Sequence, residues 1–186
     1  MDLNIEHIER VSSIKHNHST DAPYHNSQHL FTVTINAFDL AQYYVLSRTE
    51  TRSLVIAALY HDVNHSQGEY YDAVNVARAV EAMLVSISDL GDDFSRAEIN
   101  LAAKLILSTE YPHTKEPLTT AEKIIRDSDL MQNAEPDLDR WFLGLSKETN
   151  SIVNFATTKK FLKTTDIYTH KARKKLFSLG LLEKEW

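Results

Sequence analysis

The chain has 186 residues, a formal net charge of −6 and no cysteine. This length fits a single domain with a sizeable core, and the negative charge argues against a surface that binds the nucleic-acid backbone. The absence of cysteine excludes disulfides and thiolate metal sites. No apolar run reaches the roughly 18–20 residues that cross a bilayer, and the acidic N-terminus lacks the features of a signal peptide. We therefore expect a soluble, cytoplasmic protein without a membrane partner.

Helical periodicity dominates the sequence, which only four glycines and four prolines interrupt. Asn26 is placed to cap a helix, Ser95 and Glu98 form a capping-box pattern, and Gly180 is placed to end the last helix. The predicted helices span about 3–14, 27–47, from 49 or 51 to 63, 72–87, 96–108, 120–131, 152–164 and 168–179, and one more helix starts in the stretch 135–145. With no convincing strand, the pattern predicts an all-α fold in one domain over 1–186.

The third predicted helix contains the apolar run "SLVIAALY" over 53–60, directly before His61 and Asp62. Its apolar residues surround the helix axis, which is typical of a central, buried helix. Histidine and aspartate are costly to bury unless they are paired or bind a metal. His61 and Asp62 alone favour a hydrogen-bonded pair at the end of a helix, so a metal site needs further ligands from elsewhere in the chain.

Other histidines and acids lie at the ends of predicted helices and can supply these ligands. The candidates are His25 and His29 in "YHNSQH", His61, Asp62 and His65 in "HDVNH", and Asp127 and Asp129 in "RDSDLMQ". Single ligands that converge from separate helices are how a helical bundle builds an interior metal site. Imidazole suits zinc and iron, whereas carboxylates suit magnesium and manganese. The sequence therefore supplies every part of a mixed nitrogen and oxygen metal site.

The order of these motifs resembles a known superfamily. His29, the pair His61 and Asp62, and then Asp129 resemble the H…HD…D pattern of the HD-domain metal-dependent phosphohydrolases. "YHNSQH" and "HDVNH" are similar to the YHNxxH and HDxxH motifs of the class I cyclic nucleotide phosphodiesterases. The resemblance covers about 24–132. It implies a compact HD-domain helical bundle with the metal site between helices, and C-terminal helices over about 135–180 that pack on this core.

The same resemblance implies a ligand set. His29, His61, Asp62 and Asp129 would hold one or two divalent ions of manganese, iron, zinc, magnesium or nickel, with Asp62 bridging two of them. Asp127, two residues before Asp129, is a rival for the last position. The identity of the metal and the number of ions stay open.

For catalysis, the resemblance makes His25 the general acid that protonates the leaving oxygen, and places His65 beside the second metal. Together with His25 and His65, Asp62 is predicted to be catalytic, in addition to its role as a metal ligand. The implied activity is the hydrolysis of a nucleotide or another small phosphoester, most closely a phosphodiester, through metal-bound hydroxide. A nucleotide monophosphatase and a non-catalytic metal- or nucleotide-binding HD protein are the alternatives.

Several neighbouring residues have less specific interpretations. His113 is either an additional metal ligand or a solvated loop histidine, and Glu110 is a candidate for positioning a water. Tyr24 and Tyr60, which precede the two histidine motifs, are interpreted as packing residues. We expect the protein to bind a small phosphoester or nucleotide as its substrate and not to bind nucleic acid. A homodimer is possible from the sequence.

Overall fold

The computed structural model describes residues 22–88, 94–135 and 137–184. Over these ranges the chain contains eight α-helices and no strand, so the all-α prediction is confirmed. The helices are α1 (Ser27–Tyr43), α2 (Arg48–Tyr60), α3 (Asp72–Ser88), α4 (Arg96–Leu107), α5 (Thr120–Leu130), α6 (Leu138–Thr149), α7 (Phe155–Leu162) and α8 (His170–Ser178). A 3₁₀-helix over Met131–Ala134 follows α5. The predicted helix over 3–14 lies outside the described residues.

Helix α2 is the central element, as the sequence predicts. All ten residues from Thr51 to Tyr60 are buried, and α2 packs against α1, α3, α4 and α5. It begins at Arg48 because Ser47 and Glu50 form a reciprocal capping box, so the predicted start at Thr49 or Thr51 is wrong. It ends at Tyr60, so the next residues, His61 and Asp62, lie at the edge of the core.

Helix α1 begins where the sequence predicts but ends earlier. The Asn26 side chain accepts hydrogen bonds from the backbone N–H groups of Gln28 and His29, which confirms it as the N-cap. The helix ends at Tyr43 rather than near Ser47. Val45 has a φ of 53°, a left-handed conformation that an α-helix cannot contain.

Helix α6 starts inside 135–145, the stretch in which the sequence predicts the start of a helix. It begins at Leu138 and continues to Thr149, where Asn150 in the left-handed conformation ends it. Glu148 is therefore helical. It shares one face of α6 with Gly144, because residues four apart lie above one another. This face packs against the segment that leads into α1.

The C-terminal helices α6 and α8 pack on the rest of the domain through the 3₁₀-helix, which contacts both of them. The bounds predicted for α7 and α8 are each wrong by a few residues, because Asn154 and Thr169 are the observed N-caps. Gly180, with a φ of 73°, follows α8 as predicted. Among the described residues, no helix is long and apolar enough to span a bilayer.

Candidate metal centre and adjoining cleft

Four polar side chains from three helices converge at one end of the core. His29 lies in the first turn of α1, His61 and Asp62 follow α2, and Asp129 lies in the last turn of α5. His29 Nε2 is 3.1 Å from Asp62 Oδ2 and 3.4 Å from Asp129 Oδ1. One nitrogen or oxygen atom from each of the four residues falls in a group whose members all lie within 4.8 Å of one another. The structure thus brings together all four residues that the motif resemblance marks as ligands.

The orientation of His61 suits a metal ligand. Its Nδ1 lies 2.9 Å from the Ala58 carbonyl oxygen, so Nδ1 carries a proton that it donates to this carbonyl. In the neutral ring Nε2 then holds the lone pair. Nε2 is buried and lacks an aligned hydrogen bond, although it lies 3.0 Å from Asp62 Oδ2. A ligand histidine is commonly fixed in this way, with one ring nitrogen bonded to a carbonyl and the other directed at the metal.

The charges of the cluster also indicate a cation site. His29 is fully buried, and burial lowers its pKa, so this ring is neutral near pH 7. Burial opposes the charged form of His61, but the carboxylates of Asp62 and Asp129 outweigh it and raise the pKa of His61 to about 10. Despite burial, the neighbouring His61 holds the pKa of both carboxyls below the usual range. The two adjacent carboxylates therefore favour a positive charge between them, and in the metal-free protein a proton on His61 supplies it.

Asp127 is not part of this cluster. It is fully buried, and its two carboxylate oxygens accept the backbone N–H groups of Tyr168 at 3.0 Å and Thr169 at 2.5 Å. Thr169 is the N-cap of α8, so Asp127 ties α5 to the start of α8. The geometry favours Asp129 over Asp127 as the acidic partner of the two histidines.

His25 lies beside the cluster, and its ring is held by a residue that the sequence analysis missed. Its Nδ1 is 2.5 Å from Glu148 Oε2, while Glu148 Oε1 accepts the backbone N–H groups of Tyr24 and His25 at 2.5 and 3.0 Å. His25 Nε2 is 3.8 Å from Asp62 Oδ2. Burial alone would lower the pKa of His25, but Asp62 and Glu148 together raise it. His25 therefore combines a ring fixed through Nδ1 with an Nε2 that faces the cluster, and its raised pKa favours the charged form with a proton on both nitrogens.

Gly144 explains how α6 comes so close to this segment. A Cβ at position 144 would lie 2.4 Å from the carbonyl oxygen of Pro23, which no other residue type could accommodate without a backbone shift. Glycine at this position and the carboxylate of Glu148 one turn later together fix Pro23, Tyr24 and His25 against α6. No sequence signal indicated this contact, because it joins two segments that are far apart in the sequence.

His65 stacks on His25 with ring centroids 3.7 Å apart and planes 25° from parallel. Its Nδ1 accepts the backbone N–H of Gln67 at 3.1 Å, and burial, followed by the charge of His25, lowers its pKa. His25, His65 and Glu148 form a second group with ligand atoms close together. The lone pairs of stacked rings lie in nearly parallel planes and do not converge on one ion. This trio therefore fits an oriented proton donor better than a metal site.

A cleft of about 420 Å³ opens beside the cluster, with His25 and Asp129 in its wall. Much of the remaining wall is apolar or aromatic, with contributions from Tyr24, Leu130 and Phe161. Tyr24 is buried and packs its ring 4.9 Å from that of His29, which confirms its packing role. A pocket of this size with a few convergent polar groups is typical of a small-molecule site.

His113 and Glu110 do not join the metal cluster. His113 lines the cleft and is half-buried, but its Nδ1 bonds the backbone oxygen of Glu110 at 2.9 Å and the ring lies outside both ligand groups. Burial and the nearby Arg126 lower the pKa of His113. Glu110 lines a separate surface pocket instead of the cleft. The structure thus gives neither residue a place beside the four converging side chains.

Two comparisons with known proteins found no relative. No protein-family model matches the chain, and no curated protein sequence matches it. The resemblance to the HD-domain phosphohydrolases therefore depends on the motifs themselves and on the spatial arrangement of their residues.

Proposed function

We propose that the protein is a divalent-metal-dependent phosphohydrolase that acts on a nucleotide or another small phosphoester, with a phosphodiester as its preferred substrate. One observation carries the proposal: a partly buried histidine oriented by a carboxylate stands next to a four-residue nitrogen and oxygen cluster at the wall of a cleft. A protein that only bound a metal or a nucleotide would have no need for a proton donor at this position.

The donor set fits a divalent ion. His29 and His61 would contribute their Nε2 atoms, and Asp62 and Asp129 their carboxylates; two imidazoles with two carboxylates suit zinc, iron or manganese. A divalent cation in such a site supplies Lewis-acid activation of a phosphoryl oxygen and lowers the pKa of a coordinated water. The nearly complete burial of both histidines keeps bulk water from competing for their Nε2 atoms.

The chain's own residues would then carry the proton and place the substrate. His25 donates its Nε2 proton to the departing oxygen, while its Nδ1–H stays bonded to Glu148 and fixes the ring. The cleft holds the organic part of the leaving group against Leu130 and Phe161 and excludes water from it. A nucleotide monophosphatase would use the same groups, so a substrate panel of matched mono- and diesters decides between these two activities.

The test separates proton donation from metal binding. His25→Asn should lower the rate with a poor leaving group by on the order of 10²–10⁴-fold, the usual contribution of general acid catalysis. The rate on bis(4-nitrophenyl) phosphate, whose leaving oxygen barely needs a proton, should fall far less. Both rates are measured after chelation and reloading with manganese, with His170→Asn on α8 as the control outside the cleft.

The metal content of each variant, measured by elemental analysis, completes the experiment. Wild type, His25→Asn and His170→Asn should carry the same amount of manganese. Equal rate losses on both substrates, or loss of metal from His25→Asn, would show that His25 is a ligand or a structural residue. Absence of manganese-dependent hydrolysis of every ester by the wild type would refute the proposed function.

A further inference from the structure

Arg126 is a buried cation in the wall of the cleft. It lies in α5 one turn before Asp129, and both side chains line the same cleft. Only 5% of Arg126 is exposed. Residues three apart on a helix are neighbours on its surface. A single small ligand can therefore contact Asp129 with one of its groups and Arg126 with another.

The positive charge of Arg126 is not balanced by an acid. Among the described residues the guanidinium forms no ion pair with a carboxylate; its identified partners are neutral. Its Nε donates to the Ser108 carbonyl at 2.7 Å, its Nη1 donates to the Lys115 carbonyl at 2.9 Å, and Tyr168 offers its hydroxyl. A buried charge without a counter-charge is costly, which makes an anion in the cleft a favourable partner.

These neutral contacts also position the guanidinium. They hold it at the loop after α4, where two of the five N–H donors of the guanidinium bind backbone carbonyls. Apart from the phenols of Tyr24 and Tyr111, the other charged or ionisable residues that line the cleft are Asp129 and the imidazoles of His25 and His113. Arg126 is therefore the one permanent cation among the lining residues in the described part of the chain.

We infer that Arg126 binds a second anionic group of the substrate, most simply a second phosphate, about one helical turn from the phosphoester at the metal centre. This inference rests on the proposed function for the position of the reacting phosphate. It narrows the substrate class to phosphoesters that carry another phosphate, such as nucleoside bisphosphates and dinucleotides, and it makes Arg126 a specificity-determining residue.

Calorimetric titration of the manganese-loaded protein tests this inference, and chromatography of the nucleotide after each titration checks that it is still intact. The ligands are adenosine 3′,5′-bisphosphate and the two adenosine monophosphates, and the quantity compared is the ratio of their dissociation constants. Wild type should prefer the bisphosphate, and Arg126→Gln should reduce this preference by about tenfold or more, the value of a charge-assisted hydrogen bond. Arg140→Gln, at an exposed position of α6, is the matched control and should keep the wild-type ratio.

A second variant separates ligand binding from support of the loop. Arg126→Lys keeps the charge but loses the fork that reaches two carbonyls, so it should retain part of the preference if the charge meets a phosphate. Equal loss in the Lys and Gln variants, or the same ratio in all proteins, would overturn the inference. Hydrolysis of bis(4-nitrophenyl) phosphate by the wild type is measured separately, so failure of the proposed function is distinguished from failure of this inference.

Discussion

Replacing Gly144 with alanine tests whether α6 positions the proton donor. The new Cβ would lie 2.4 Å from the carbonyl oxygen of Pro23, whereas ordinary contacts begin near 3.4 Å, so helix and segment must separate by about 1 Å. Glu148, one turn later, holds the backbone and ring of His25, and the shift would misplace that ring. A misplacement of about 1 Å can lower a catalysed rate by about 100-fold.

The expected signature is a loss of rate that depends on the leaving group. Gly144→Ala should lower kcat by about 10- to 100-fold on a diester with a poor leaving group and much less on bis(4-nitrophenyl) phosphate, with unchanged manganese content. Alanine favours helix by about 1 kcal/mol, and overpacking costs about 1–3 kcal/mol, so the free energy of unfolding should fall only modestly. Lys147→Ala, at an exposed position of α6, is the control. Wild-type rates on both substrates would refute the positioning role.

Two further predictions concern the choice between the two aspartates of α5 and the pH dependence of metal binding. Asp127→Asn should cost about 1–3 kcal/mol in urea unfolding, because Asp127 accepts two backbone N–H groups at the start of α8, yet leave manganese content intact. Asp129→Asn should lose the metal, and the reverse pattern would show that the wrong aspartate was chosen. The pKa of His61 is raised to about 10, so an incoming ion must displace its proton. Manganese affinity should therefore rise about tenfold per pH unit between pH 6.5 and 8.5, measured by competition with a chelator of known pH dependence. An affinity that stays flat over this range would exclude His61 as a ligand.

The sequence predicted the parts of this protein that depend on local patterns. The apolar residues of α2 surround its axis, and this pattern correctly predicted a central helix. The side chains of Asn26 and Ser95 cap helices α1 and α4 as predicted. The motif resemblance also implied that His29 and Asp129 are ligands, and the folded chain places them 3.4 Å apart. The helix positions follow from periodicity and capping, which are properties of short segments.

Such local patterns do not predict contacts between residues that are far apart in the sequence. Glu148 contacts His25 across 123 residues of sequence, and it was missed because no local pattern around Glu148 indicates a partner so far away in the chain. The choice between Asp127 and Asp129 was open for a similar reason. Residues two apart point to different sides of a helix, and only the packing of α8 against Asp127 shows which side faces the two histidines.

The most direct test of the central claim is the position of a bound ion. A crystal of the manganese-loaded protein, with anomalous diffraction recorded at the manganese edge, should show a peak about 2.0–2.3 Å from Nε2 of His29 and His61 and from carboxylate oxygens of Asp62 and Asp129. Asp62→Ala crystals prepared in the same way should lack the peak. A peak between His25, His65 and Glu148, or no peak in the wild type, would contradict the account.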